Sequence, residues 1–190
     1  MKNEGVEAII IAANQAPFKA MLSALARNGN TADVFSSYVN ADPTAFDTKL
    51  TYNFNVYVNA WVDILSEKGQ AAAANYVAAV NANPNIDDVT KFALYTNSFG
   101  IAGYIAIEVF LAGLAEYDKN YYEEGKDVTW SDFIAAMSAN PIDIPMGSTV
   151  DFSDGKRWGI ANMSLLRYDS TAGAFVLARD FEELVDIEKK

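Results

Sequence analysis

The opening of the chain, GVEAIIIAANQAPFKAMLSALARNGNTADVFSSY, constrains the fold more than any other stretch. Residues 6–12 are almost all apolar and rich in isoleucine, which predicts a strand covered on both faces, the kind found in parallel sheets. Pro17 then opens an amphipathic helix in which Phe18, Met21, Leu22 and Leu25 recur at helical spacing, and Asn28-Gly29-Asn30 closes it. Residues 33–38 supply a second strand. A strand, a helix and a strand on such short connections must run β-α-β with parallel strands and a right-handed crossover, so the chain reads as α/β.

Further along, Asp42-Pro43 predicts an N-cap and a short helix reaching Leu50. Phe54, Val56, Val58, Ala60 and Val62 alternate with Asn53, Asn55, Tyr57 and Asn59, the pattern of a half-buried strand. Residues 70–81 predict a helix stopped by Asn83-Pro84. The stretch FGIAGYIAIEVFLAGLA, residues 99–115, is interrupted by Glu108 and falls short of the roughly 20 uncharged residues of a membrane span, which predicts a buried helix of a globular protein. Gly100 and Gly103 within it predict close helix packing. Thr129 and Asp132 predict a capped helix ending before Asn140-Pro141. The pattern then turns to strands at 148–153, 157–168 and 174–178. The two-residue turn Asp154-Gly155 and the segment 170–173 join them as antiparallel hairpins.

Composition removes several kinds of chemistry. The chain has no histidine and no cysteine, which excludes histidine-based triads, thiolate nucleophiles and the usual zinc ligands, so no enzyme, metal or cofactor is expected. A net charge of −11 repels phosphate backbones and argues against nucleic acid as a partner. No glycine-rich phosphate loop or calcium loop is present, and the adjacent acids Asp87-Asp88, Glu123-Glu124 and Glu182-Glu183 read as solvated surface. The first residues lack the pattern of a signal peptide. What stands out are two loops at strand ends, where open parallel sheets bind ligands: Asn14 and Gln15 after the first strand, and Ser36-Ser37-Tyr38-Val39-Asn40 after the second.

The succession of this βαβ opening, SSYVN, SFGIAGYIAIEVFLAGLAEY and DVTWSDFIAAMSANPIDIPMGSTVDFSDGKRWGIANMSLLRYD resembles the C-terminal half of the type 1 periplasmic binding proteins, the extracellular ligand-binding receptors of branched-chain amino acid ABC importers. The most specific part is the series from Pro145 to Gly159. The resemblance implies a two-lobed, Venus-flytrap fold whose first half is absent from this chain. Residues 1–92 would form part of the second lobe, 93–147 the helices returning to the first lobe, and 148–190 hinge-proximal hairpins with the tail. It further implies a non-enzymatic solute-binding protein, extracytoplasmic and partnered with an ABC permease, that closes on an amino acid, amide or small carboxylate. Asn14, Gln15 and Tyr38 then fall where the second lobe touches ligand, with Tyr104 facing the hinge. In the leucine-type relatives an acid in the loop matching SSYVN holds the ligand's ammonium, whereas this loop offers Tyr38. A signalling receptor of the same fold is the alternative.

Overall fold

The computed structural model describes residues 5–88, 90–91, 98–144, 146–147, 149–156, 159–160 and 162–183. They divide into two compact units, one of residues 5–60 and 163–182 and the other of residues 61–162.

The first unit is built on a sheet of β1 (Ala8–Ile11), β2 (Asp33–Ser36), β3 (Val56–Ala60), β6 (Asn162–Asp169) and β7 (Ala174–Glu183), hydrogen-bonded in that order. β1, β2 and β3 are parallel, with Ile9 opposite Val34 and Val34 opposite Val56, while β6 runs antiparallel to β3 with Leu166 opposite Val58. Helix α1 (Gln15–Arg27) supplies the crossover from β1 to β2 and buries Phe18 and Leu22 completely, as the sheet does Val34 and Val58. It begins two residues before Pro17, which sits in the first turn where its missing N–H costs nothing. The βαβ reading and the β3 alternation are both present in the fold, the latter as a strict buried, half-buried sequence.

Two expectations for this unit are corrected. β1 is an edge strand, not one covered on both faces: Ile11 is buried, but Ile10 is 82% exposed. Periodicity reports an apolar run, not how many layers lie on it. The helix expected over 43–50 is only a 3-10 turn at Pro43–Ala45. Asp42 does cap it, accepting from the Thr44 N–H at 2.8 Å, but Asp47 accepts from the Lys49 N–H and gives its own N–H to the Tyr52 hydroxyl, so the backbone is diverted before a second turn forms. Phe46 then anchors the segment by stacking on Tyr168.

The second unit holds α2 (Glu67–Ala82), α3 (Ser98–Asn120), α4 (Trp130–Ala139) and the short pair β4 (Ile142–Asp143) and β5 (Thr149–Val150). Its core joins Tyr76 and Val80 of α2, Ile101 and Ile105 of α3, and Ile144, Met146 and Val150. Asp63 sets the entry to α2: its Oδ1 accepts from the N–H groups of Leu65 and Ser66, and Ser66 in turn caps the Gly69 N–H at 3.0 Å. Thr129 caps α4 through the Asp132 N–H at 3.2 Å, as its spacing predicts. The close approach expected at Gly103 is not made, since Gly103 faces open space; a side chain at Gly113 would instead collide with Met137 of α4. α3 also differs from the buried helix expected, since Ile107, Phe110 and Leu111 are exposed while Ile101 and Ile105 are buried.

The Asp154-Gly155 turn forms as its residues demand, with φ +56° and +73°, closed by the Lys156 N–H on the Ser153 carbonyl at 3.1 Å. The strands around it are shorter than expected. Asp151 accepts from the Ser153 N–H and binds Lys156, which gathers 151–156 into a tight loop between β5 and a single bridge at Ile160. β5 therefore pairs with β4, and β6 joins the sheet of the first unit. The compact units divide after residues 60 and 162. The C-terminal hairpin of β6 and β7, turning at Gly173 with φ +63°, is present.

Candidate functional site

The carboxyl ends of β1, β2 and β3 lie side by side, and polar side chains tie their loops together. Ser36, the last residue of β2, donates its hydroxyl to the Ile11 carbonyl at the end of β1, 2.7 Å away. Asn40 is completely buried, and its Nδ2 donates to the Ala13 carbonyl and to Ser36 Oγ, both at 2.8 Å. Those bonds fix the amide orientation, because a reversed Asn40 would set oxygen against oxygen at Ala13. Its Oδ1 is buried without a donor among the described residues. One strand further on, Asn59 Oδ1 accepts the Tyr38 N–H at 3.0 Å.

Above this network lies an open hollow whose lining includes Ala12, Asn14, Phe35, Ser36, Ser37 and Asn59. Asn14 is exposed at the N-cap of α1, with extended backbone (φ −73°, ψ 170°) and no capping bond from its side chain. Its carboxamide is thus left for other partners. The N–H groups of the first α1 turn open at the same point, where a helix favours negative charge. Among the described residues, none that lines the hollow is charged.

Of the residues singled out in the sequence, the structure brings Asn14 into this hollow. Gln15 is the first residue of α1 and Tyr38 the first of the 3-10 turn Tyr38–Asn40, both beside the hollow's loops but not in its lining. Tyr104 belongs to the second unit, where its ring meets Tyr76 edge-on at 5.3 Å and its hydroxyl bonds Glu108. Burial raises the Glu108 carboxyl above its ordinary value, and the Tyr104 bond partly offsets the rise. Sequence reasoning did not select Asn59, although it is the polar residue nearest the carboxyl end of an alternating strand. Among the described residues, no group of three acids suited to a metal ion occurs.

No protein-family model matches the chain, and no curated protein does. Solved structures do. The chain is similar to a fatty acid ABC transporter substrate-binding protein from Thermomonospora curvata, with a TM-score of 0.62 and 16% identity over 96% of this chain and 45% of that one. An ABC transporter substrate-binding protein from Aeropyrum pernix gives a TM-score of 0.67 and 12% identity over 96% of this chain and 46% of that one. A branched-chain amino acid ABC transporter protein from Thermus thermophilus with bound valine gives 0.67 and 13% over 97% and 48%. The chain thus spans less than half the length of each and corresponds to their C-terminal half.

Proposed function

We propose that this chain, which has the type 1 periplasmic-binding-protein fold over the C-terminal half of its structural neighbours, is the corresponding portion of a solute-binding protein serving an ABC importer. The observation that carries the reading is the uncharged hollow at the strand ends, with the uncommitted Asn14 carboxamide at its rim. Neutral amides and hydroxyls select a small polar ligand by hydrogen-bond geometry, and burying an unmatched polar group there costs affinity. An amino acid, an amide or a small carboxylate fits. Asn14 and Ser37 contact the ligand, and a ligand carboxylate is favoured at the α1 N-terminus. Gln15 and Tyr38 flank the contact, while Asn40 and Ser36 hold the loops. Tyr104 supports the core of the second unit. The first unit acts as the second lobe, and the complete protein closes two lobes over the ligand outside the cytoplasm before delivering it to a permease.

The test is thermal stabilisation of the complete protein by a panel of amino acids, amides and small carboxylates. At least one should raise the melting temperature, and Asn14→Ala should weaken it about tenfold, the loss of a hydrogen bond to a charged group. Silence across the panel by a folded protein sinks the reading. Binding that ignores both Asn14→Ala and Ser37→Ala moves the site elsewhere.

A further inference from the structure

The polar atoms around the hollow are not interchangeable, because several are already committed in one direction. Ser36 gives its proton to the Ile11 carbonyl and its Oγ takes one from Asn40, so it has no proton left to offer. Asn59 is held differently. Its Oδ1 accepts the Tyr38 N–H at 3.0 Å, and turning the amide over would set N–H against N–H, so that bond fixes the orientation. The Nδ2 is thereby the group with protons to give, and Asn59 belongs to the lining of the hollow. One proton goes to Met163 Sδ at 3.0 Å, a thioether and a weak acceptor, while the second has no partner among the described residues. A half-buried N–H of this kind is satisfied by water or by an oxygen of a bound molecule.

Beside this donor the floor is apolar. Ile10, Phe35 and Tyr57 are register partners on β1, β2 and β3 and so share one face of the sheet, with Asn59 two residues beyond Tyr57 on that face. Phe35 stacks on Tyr57 at 5.1 Å with 15° between the rings, and Ile10, like Phe35, lines the hollow. A bound molecule therefore meets hydrocarbon over Ile10 and Phe35 and an N–H at Asn59. An ammonium brought to that N–H finds donor against donor, and no carboxylate of the lining offsets its desolvation. A carboxylate or carbonyl oxygen finds its proton, and a charged oxygen gains most. We propose that Asn59 is a specificity-determining residue of the hollow, donating Nδ2–H to a carboxylate whose apolar body lies over Ile10 and Phe35. This rests on the solute-binding reading and narrows it from amino acids, amides and small carboxylates to apolar carboxylates that bring no ammonium to Asn59.

The test is calorimetric titration of the complete protein with matched compounds that differ only at the polar end: 3-phenylpropanoate, 3-phenylpropanamide and 3-phenylpropylamine, and the same three ends on a 4-methylpentyl body. The carboxylates should bind tightest, the amides next, and the amines at least about thirtyfold more weakly than the carboxylates, the difference a hydrogen bond to a charged group makes. Asn59→Asp keeps an oxygen for the Tyr38 N–H and reverses the group offered to the ligand. It should cost the carboxylates about thirtyfold or more and narrow or invert their lead over the amines. Met163→Leu removes the competing sulfur and should leave carboxylate binding equal or tighter. Amines that bind the parent as well as the carboxylates overturn the assignment, whether or not Asn59→Asp folds. So does an amino acid that binds while its des-amino carboxylate does not, or carboxylate binding untouched in a folded Asn59→Asp protein; each of these leaves the solute-binding reading intact. Silence from both series also overturns it, and the wider panel of amino acids and amides then decides whether the solute-binding reading falls as well.

Discussion

Single side chains decide more of this fold than their number suggests. Asn40 is the strongest case, since both protons of its Nδ2 are used to join the β1 and β2 loops from inside. Asn40→Asp replaces that donor with an acid facing the Ala13 carbonyl, and removing one partner of a buried polar network costs about 3 kcal/mol or more. Urea unfolding should show a loss of that order, and a midpoint within error of the parent would mean the network is dispensable. Asp151 acts at a different place. Its bonds to the Lys156 ammonium and to the Ser153 N–H hold its carboxyl down at about 2, from an ordinary 3.8. A depressed folded-state value contributes stability above the unfolded value and loses it as pH falls through the folded one. Between pH 4 and pH 2 the parent should therefore lose stability more steeply than Asp151→Asn, measured as urea midpoints across that window. Parallel curves would show that the Asp151–Lys156 pair adds nothing to folding.

Elements were legible where a local pattern was enough to set them. The α4 cap at Thr129, the stop of α2 at Asn83 and the glycine turns follow from one or two residues and their spacing. Elements that depend on partners distant in sequence were not. The loop at 42–50 lost its helix to Asp47 and Tyr52, and β6 left the expected meander to pair with a strand a hundred residues earlier. The site was legible in the same uneven way: Asn14 follows from being the polar residue after a parallel strand, whereas Asn59 depends on which strand lies beside β2. Gly69 is likewise invisible to pattern. It looks like a flaw in the first turn of α2, but a Cβ there would strike the Asp63 carbonyl, which belongs to backbone and cannot swing aside. Gly69→Ala, normally a gain in a helix, should instead destabilise by roughly 2 kcal/mol or more through strain at the α2 entry. A rise in melting temperature would show that this entry relaxes freely.

Among the described residues, the α3–α4 face and the outer edge of β1 are apolar surfaces left uncovered. β1 reads AIII, with no charge, proline or bulge to blunt it, and such an edge is a template for further strands. Ile10→Lys places a charge on its exposed side and should raise the concentration at which the isolated chain begins to scatter light. Stability should change by no more than about 0.5 kcal/mol, as for most surface substitutions. Unchanged aggregation would assign the liability to the helices.

The sheet that begins at β1 ends at β7, and these two edges are unlike: one bare and apolar, the other carrying Arg179, Asp180 and Glu182. If copies of the isolated chain meet edge to edge through β1 and β7, the contact is head-to-tail. A contact of that kind repeats itself without closing, so the product is a growing filament, whereas pairing of β1 with β1 stops at two. The chemical difference between the first and last strands of one small sheet thus decides whether the isolated chain is lost to fibres or held as a dimer.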